Sequence, residues 1–136
     1  MIRYANTDDI EFIKKYDIHI SKTELKNLVI LNRVIVMYEE NSFIGWLRYN
    51  LFWDNTPFLN MIYLLDGERG KGYGSKLISF WEKEMKERGY DHVLTSTQSN
   101  ELGQFFYRKN KYKDVGSLIL PNQPLEIMFY KNLKDK

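Results

Sequence analysis

The stretch that decides the fold is Gly67–Tyr90, "GERGKGYGSKLISFWEKEMKERGY", in which a glycine-rich turn runs directly into an amphipathic segment. Glycine accepts positive φ angles and lets a ligand approach the backbone closely. The free N–H groups at the start of a helix, together with the positive end of its dipole, form an anion site. Arg69 and Lys71 add positive charge. The stretch therefore predicts a phosphate-binding turn at the beginning of a helix.

Three phosphate-binding patterns compete for this turn. A Walker A loop requires Gly-x4-Gly-Lys-Ser/Thr, but Gly72 is followed by Tyr73 and Gly74. A dinucleotide fingerprint requires a third glycine where Ser75 stands, and it follows the first strand of a fold, whereas this turn follows the fourth. The third pattern, Arg/Gln-x-x-Gly-x-Gly/Ala, is satisfied in full from Arg69 to Gly74.

The composition around this turn is that of a globular chain. Its 136 residues, 43% hydrophobic and 15% aromatic, fit one domain over residues 1–136. A net charge of only +2 gives no case for nucleic acid or an anionic membrane as a partner. The chain has no cysteine, which removes disulfides, thiolate zinc sites and a cysteine nucleophile and suits a cytoplasmic location. The acidic N-terminus and short apolar runs predict neither a signal peptide nor a membrane span.

Hydrophobic periodicity predicts elements in the order β-α-α-β-β-β-α-β-α-β-β. The apolar and β-branched runs that predict strands are 1–5, 34–40, 43–53, 57–65, 92–97, 112–120 and 125–133. Helices are predicted over 6–16, from Ser21 to about Asn32, from the glycine turn to Gly89, and over 100–110. A strand, a long helix and another strand around the glycines form a right-handed crossover, so those two strands are expected to be parallel.

The hexapeptide Arg69–Gly74, between an apolar strand and a long amphipathic helix, resembles the coenzyme A pyrophosphate turn of the GNAT superfamily of N-acetyltransferases. The segment "SNELGQFFYRKNKY", one strand later, is similar to the family's second segment, in which an asparagine precedes a short helix bearing Phe-Tyr. The order of elements also matches over nearly the full chain. The resemblance implies an α/β fold: a mixed, mostly antiparallel sheet with a central, splayed parallel strand pair and helices on both faces.

The resemblance also implies acetyl-CoA as co-substrate, bound through the backbone of the turn and of the strand before it. The implied cofactor-binding residues are Tyr63, Leu64, Leu65, Arg69, Gly70, Lys71, Gly72, Tyr73, Gly74, Ser75, Asn100 and Phe106. Asp66 stands where the family usually has proline, and with Glu68 it brings two carboxylates to a phosphate site. These carboxylates are expected to point to solvent or to pair with the neighbouring cations. The two histidines and the absence of cysteine predict no metal site.

Tyr107 matches the family tyrosine that faces the thioester sulfur, and it is the predicted catalytic residue. Amine attack on the acetyl carbonyl expels coenzyme A as a thiolate, which a phenol within hydrogen-bond reach can protonate or stabilise. The general base stays open, because the fourth strand, "PFLNMIYLL", carries no acid. Asp54, Glu126 and an ordered water are the candidates.

Trp53, Asp54 and Glu126 are the candidates for an aromatic and acidic acceptor pocket that would favour a cationic amine, either a small molecule or a peptide. A homodimer is plausible, but the sequence identifies no interface. Two other functions remain open: a non-catalytic module that senses acyl-CoA, and a nucleotide-binding protein.

Overall fold

The computed structural model describes residues 1–134 of the chain. Strands and helices follow one another in the predicted order. The strands are β1 (Ile2–Tyr4), β2 (Val34–Glu39), β3 (Ser42–Phe52), β4 (Thr56–Leu64), β5 (His92–Gln98), β6 (Lys113–Leu118) and β7 (Glu126–Asn132). The helices are α1 (Ile10–Tyr16), α2 (Lys22–Ile30), α3 (Tyr73–Glu87) and α4 (Gly103–Lys109), with a 3-10 turn at Thr7–Asp9.

The strands form one mixed sheet in the order β1-β2-β3-β4-β5-β7-β6. The ladders β1–β2, β2–β3, β5–β7 and β6–β7 are antiparallel. Strands β4 and β5 are parallel, in the register Phe58↔Leu94 and Leu59↔Thr95. The predicted mostly antiparallel sheet with one parallel pair around the glycine turn is confirmed. The amphipathic segment predicted after the glycine turn forms α3, in which Leu77, Ile78, Trp81 and Met85 are all fully buried.

Two helix starts show how local sequence sets the element boundaries. Asn6 caps the first helical segment, because its side chain accepts from the Asp8 N–H at 2.9 Å and the Asp9 carboxylate accepts from the Asn6 N–H at 2.8 Å. Ser21 caps α2 by accepting from the Glu24 N–H at 3.1 Å. Helix α4 begins later than its sequence pattern predicts, at Gly103 instead of residue 100, so the residues before it form a turn.

The chain forms two compact units, of which the first comprises Met1–Asn50 and Met61–Trp81. Its core packs the apolar faces of α1 and α2 with the first strands, and Ile13, Leu25 and Trp46 are fully buried there. Two carboxylates are also buried in this unit: that of Asp17, which pairs with the buried Arg48 guanidinium at 2.7 Å, and that of Asp9. Each has a cationic partner, as the cost of burying a charge requires.

Asp9 is the centre of a polar network in the first unit. Its carboxylate accepts from the Arg3 guanidinium at 2.8 Å, from the Tyr38 hydroxyl at 2.7 Å and from the Asn6 N–H. Burial alone would raise the pKa of Asp9, but these hydrogen bonds together hold that pKa below its ordinary value. Burial and the same carboxylate raise the pKa of Tyr38 to about 12. The network therefore favours a charged Asp9 in the folded state.

We predict that Asp9→Asn lowers the free energy of unfolding at neutral pH by about 2 kcal/mol, because it removes the charge that pairs with Arg3 and replaces one of the two acceptor oxygens by an NH2 donor. The folded-state pKa of Asp9 is depressed, so its contribution is present above the unfolded value of about 3.9 and is lost as pH falls through the folded value. Denaturant titrations of both proteins at several pH values test this. The difference in the free energy of unfolding between the two proteins should close in acid, and a difference that widens there would contradict the prediction.

Gly45 of β3 allows the end of β4 to approach closely. A Cβ built on Gly45 would lie well inside 3.0 Å of the Tyr63 carbonyl oxygen and would also touch the backbone of Leu64. No real Cβ makes a contact that short, so any side chain at this position would displace the β4 backbone. The Leu65 N–H donates to the Ile44 carbonyl at 2.9 Å and holds the chain in this position. A residue without a side chain therefore positions the segment that leads into the glycine turn.

We predict that Gly45→Ala lowers the free energy of unfolding by about 2 kcal/mol, because the added methyl group meets backbone that cannot rotate away. Gly103→Ala is the control: there the added Cβ meets the Thr97 hydroxyl at 3.3 Å, and alanine is the better helix former. Thermal unfolding of the two variants checks this. Equal melting temperatures for both would show that β4 does not depend on the close approach.

The second unit comprises Leu51–Asn60 and the described residues from Glu82 onward. Strand β5 pairs along its whole length with β7, and β7 pairs with β6. The burial of β5 alternates, with Val93, Thr95 and Thr97 facing inward. The Glu82 carboxylate accepts from the Tyr112 hydroxyl at 2.7 Å and from Lys131 at 2.9 Å. This unit carries the second of the two segments on which the functional prediction rests.

Candidate active site

The glycine turn between β4 and α3 has the backbone conformation that its sequence predicts. Gly70 and Gly72 take φ angles of +78° and +85°, in the left-handed region. An added Cβ would find no atom within 4 Å at either position, so the glycines are required by the backbone conformation and not by crowding. The space beside them stays open to a ligand.

The first turn of α3 presents unpaired backbone donors. The helix begins at Tyr73, and the Lys76 N–H donates to the Gly72 carbonyl at 3.2 Å. This is the first i→i−4 hydrogen bond of the helix, so the backbone N–H groups that precede Lys76 have no acceptor within it. At 15 residues, α3 is long enough for a full dipole effect at this end. Together these groups form a site suited to a phosphate or pyrophosphate.

Both cations of the turn are engaged by the two nearby carboxylates. Arg69 lies 3.4 Å from Asp66, and Lys71 lies 3.3 Å from Glu68. The Arg69 guanidinium also donates to the Leu64 carbonyl at 3.0 Å and lies 5.0 Å over the Tyr63 ring. Within each pair the two opposite charges neutralise each other. The backbone N–H groups are therefore the main donors available to an anion. Such exposed pairs are weak and exchange readily.

The end of β4 has fewer open backbone groups than the resemblance implies. The Leu64 carbonyl accepts from Arg69, and the Leu65 N–H donates to Ile44. The Leu65 carbonyl accepts from the Glu68 N–H at 3.0 Å. The Tyr63 ring stacks on Trp46 with centroids 4.9 Å apart. A cofactor that used the Leu64 carbonyl would first have to displace Arg69.

In the second unit, Tyr107 lies on α4 with only 6% of its surface exposed. Its ring contacts those of Tyr112 and Phe129, at centroid distances of 5.7 and 5.6 Å. Burial raises the pKa of Tyr107 to about 12; a hydrogen bond with Thr95 opposes the rise, and the charge of Glu101 adds to it. The phenol is therefore protonated throughout the physiological range and is a hydrogen-bond donor there.

Sequence reasoning missed the two polar residues that set the environment of Tyr107. Thr95 is fully buried and its hydroxyl donates to the Leu59 carbonyl at 2.9 Å, across the parallel strand pair. Glu101 accepts from the Thr97 hydroxyl at 3.0 Å and from the Gln98 N–H at 3.2 Å. The signal was available for Thr95, because the alternation of "HVLTST" puts a threonine on the buried face.

The remaining cofactor candidates of the second segment differ in exposure. Asn100 is exposed in the turn after β5, and the N-cap position of α4 is Leu102, which has no side-chain cap. Phe106 is half-buried, and its ring meets that of Tyr107 at 5.4 Å. Asn100 is thus available to a ligand, whereas Phe106 also packs against the predicted catalytic residue.

The structure does not bring the three acceptor candidates together. Trp53 and Asp54 form the tight turn between β3 and β4, both with positive φ, and Trp53 is 77% exposed. Glu126 pairs with Gln98 at the far end of β5 and accepts from the Ser96 hydroxyl at 2.6 Å. The register of β4 on β5 places the β3–β4 turn beside the start of β5. The distance from there to Glu126, measured along the strands, is on the order of 20 Å. One amine cannot contact both Asp54 and Glu126.

Two further findings concern the residues that the structure describes. None of the described helices is long and apolar enough to cross a membrane. Within residues 1–134, no group of three or more histidine, cysteine, aspartate and glutamate side chains is arranged to hold a metal ion.

Comparison with known proteins identifies the family of the chain. The model of the acetyltransferase (GNAT) family matches residues 6–112, so the chain belongs to that family and is an acyltransferase. A GNAT-family acetyltransferase from Bacillus cereus ATCC 10987 is 27% identical, with 97% of this chain and 96% of that chain covered and a TM-score of 0.80. No protein with a curated description matches the chain in sequence.

Two more distant solved structures share the fold. PaiA N-acetyltransferase from Thermoplasma acidophilum, in complex with coenzyme A, is 20% identical over 97% of this chain and 98% of that chain, with a TM-score of 0.80. Ard1 from Thermoplasma volcanium is 14% identical over 99% of this chain and 98% of that chain, with a TM-score of 0.85.

We predict that Gly72→Val weakens coenzyme A binding at least about tenfold, because a β-branched side chain cannot hold the left-handed conformation that presents the amides. Gly89→Val is the matched control. Gly89 has a φ of +97° and equally open surroundings, but it follows the other end of α3. Both variants should lose similar stability, about 1–2 kcal/mol. Calorimetric titration with coenzyme A should separate them, and unchanged affinity in Gly72→Val would contradict the assignment of the turn.

Proposed function

We propose that the protein transfers the acetyl group of acetyl-CoA to a primary amine of a small molecule or peptide. The observation that carries the proposal is the glycine turn at the start of α3, with left-handed Gly70 and Gly72 and backbone donors ahead of Lys76. Acetyl-CoA offers a pyrophosphate, which fits a helix N-terminus. The family of the chain supports the reaction class. A cytoplasmic location, where acetyl-CoA is available, belongs to the same proposal.

The turn would bind the pyrophosphate chiefly through amides between Arg69 and Ser75. When the diphosphate enters, its negative charge competes with Asp66 and Glu68 for the two cations of the turn. Because those ion pairs are exposed and about 3.4 Å long, their exchange costs little. Release of Arg69 would also free the Leu64 carbonyl for the pantetheine arm. Asn100 would add a side-chain hydrogen bond from the second segment.

Tyr107 would act at the thioester sulfur. The amine nitrogen attacks the acetyl carbonyl carbon, a C–N bond forms, the C–S bond breaks, and the electron pair leaves on sulfur. A phenol with a pKa of about 12 is a weaker acid than a thiol, which titrates near about 8.5. Complete proton transfer to the thiolate is therefore unfavourable. Tyr107 would instead stabilise the sulfur charge by donating a hydrogen bond.

The proton of the amine needs a separate acceptor. Asp54, Glu126 and an ordered water remain the candidates, and the separation along β5 makes the two carboxylates exclusive alternatives. The Glu126 carboxylate already accepts from the Ser96 hydroxyl at 2.6 Å, which fixes its position. Trp53 and Asp54 together would suit a cationic amine at the β3–β4 turn.

A second candidate function is an acyl-CoA-binding module without catalysis. Two observations favour it: the deep burial of the Tyr107 phenol and the absence of an acid in "PFLNMIYLL". Both functions predict acetyl-CoA binding, and they differ only in turnover.

The first experiment compares thermal stabilisation by acetyl-CoA, coenzyme A, ATP and NAD. At about a hundred times its dissociation constant, a ligand adds roughly 2.7 kcal/mol to stability. Acetyl-CoA should stabilise the protein and ATP and NAD should not. Release of free thiol in the presence of small amines and peptide N-termini then measures turnover. Binding without turnover across both acceptor classes would favour the sensing module, and preferential ATP or NAD stabilisation would reject both functions.

We predict that Tyr107→Phe lowers kcat by about 10²- to 10³-fold while the KM for acetyl-CoA changes little, because only the charge on the leaving sulfur loses its donor. Tyr112→Phe is the matched control: it removes an equally buried hydroxyl that is bonded to Glu82. Steady-state kinetics of the two variants test this. Equal kcat values in Tyr107→Phe and the wild type would remove Tyr107 from the chemistry.

A further inference from the structure

One buried hydroxyl of the second unit lies between strand β4 and the predicted catalytic residue. Thr95 of β5 is fully buried, and its hydroxyl donates to the Leu59 carbonyl of β4 at 2.9 Å. In the part of the chain that the structure describes, Leu59 and Thr95 are the last residues at which β4 and β5 pair. The Thr95 hydroxyl therefore stands at the end of the parallel ladder.

Tyr107 lies over the same face of the sheet as Thr95. In the register of β5 on β7, Thr95 is directly opposite Phe129, and the Tyr107 ring packs on the Phe129 ring with centroids 5.6 Å apart. Helix α4 approaches β5 closely, because a Cβ added at Gly103 would lie 3.3 Å from the Thr97 hydroxyl and 3.9 Å from the Tyr107 ring. The Tyr107 hydroxyl is hydrogen-bonded to Thr95. The two hydroxyls and the β4 carbonyl thus form one hydrogen-bonded chain.

The direction of this chain follows from the number of protons in it. Each hydroxyl has one proton to donate, and a carbonyl can only accept. The Thr95 proton is directed to the Leu59 carbonyl, so Tyr107 is the donor in its own bond with Thr95. In this arrangement the single phenol proton points at Thr95, and Tyr107 has none left for a sulfur acceptor.

We propose that Thr95 is a positioning residue for Tyr107, and that its hydroxyl turns from the Leu59 carbonyl to the phenol oxygen when Tyr107 donates to the leaving sulfur. This inference rests on the proposed acetyl transfer. Each proton stays on its own oxygen, and only the directions of the two O–H bonds change. In the second arrangement Tyr107 accepts from Thr95 and donates to sulfur, so the two hydrogen bonds strengthen each other.

The electrostatics of Tyr107 agree with the second arrangement. Burial raises the pKa of Tyr107, and the hydrogen bond with Thr95 opposes that rise, because a donor stabilises negative charge on the phenol oxygen. The same donor would stabilise the charge that the phenol takes up from the leaving thiolate. Thr95 therefore contributes to the ladder before the transfer and to the phenol during it.

Steady-state kinetics of a double-mutant cycle test the proposal. Thr95→Val removes the hydroxyl and should lower kcat about tenfold, the worth of one hydrogen bond, while the KM for acetyl-CoA changes little. Thr95→Ser keeps the hydroxyl and should restore most of kcat. In Tyr107→Phe, which has no hydroxyl to orient, Thr95→Val should have no further effect on kcat. An equal loss in both backgrounds would show that Thr95 acts through packing alone and would overturn the proposal.

Thr56→Val is the matched control. Thr56 is also buried in the second unit, and its hydroxyl donates to the Asn55 side chain at 2.9 Å, three residues before Leu59 on β4. The change removes a buried threonine hydroxyl that belongs to another hydrogen bond. It should leave kcat unchanged, and a loss equal to that of Thr95→Val would contradict a specific role for Thr95.

Nuclear magnetic resonance separates this proposal from the proposed function, because it needs no turnover. With the tyrosine Cζ atoms isotopically labelled, the signal of Tyr107 is the one that Tyr107→Phe removes. Thr95→Val should move this signal, because the phenol loses its partner, whereas Thr95→Ser and Thr56→Val should leave it in place. A signal that stays unmoved in Thr95→Val would overturn the proposal even in an active acetyltransferase.

The wild type provides a test that does not depend on the folding of Thr95→Val. Saturating coenzyme A should move the Tyr107 signal as the phenol turns to sulfur, and an unmoved signal would overturn the proposal. A wild type without turnover on any amine would reject the acetyl transfer and, with it, the change of acceptor. The hydrogen bond between Tyr107 and Thr95 would then be structural only.

Discussion

The functional interpretation depends on one backbone constraint, the left-handed conformation of Gly70 and Gly72. This conformation ends the segment after β4 and begins α3. The amides that precede the Lys76→Gly72 hydrogen bond are left without an acceptor in the helix. The surroundings of both glycines are empty, so the constraint is conformational and leaves room for a ligand. Gly45 contributes from the neighbouring strand, because its missing side chain lets Tyr63 and the end of β4 approach. Backbone geometry, more than any side chain, defines the proposed cofactor site.

The charges of the turn have a secondary role in this picture. Arg69 and Lys71 are held by Asp66 and Glu68 across contacts of 3.4 and 3.3 Å. A site whose cations are already neutralised attracts anions less strongly from a distance, but its amides are fixed in place and need no reorganisation. The carboxylates also give the unliganded turn a partner for every charge. Binding then becomes an exchange of partners at the surface, where ion pairs contribute little stability.

The environment of Tyr107 illustrates how burial sets chemistry. The ring lies among Tyr112 and Phe129, and the hydroxyl lies beside the buried Thr95. Loss of solvent raises the pKa of the phenol to about 12, which makes it a reliable donor and a poor acid. A donor of this kind suits stabilisation of a leaving thiolate more than its protonation. Burial alone does not distinguish Tyr107 among the ten tyrosines of the chain, because Tyr112 is equally buried; its position after Asn100 and Phe106 does.

The sequence by itself determined the order of the elements, the amphipathic character of α3 and the left-handed turn, because these depend on residues close together in the chain. Only the tertiary structure decided that Arg69 folds back onto Tyr63, that Thr95 and Glu101 flank Tyr107, and that Trp53 and Glu126 lie at opposite ends of β5. Those relations depend on strand register and on side chains that meet from distant positions. Periodicity and local propensity carry no information about either.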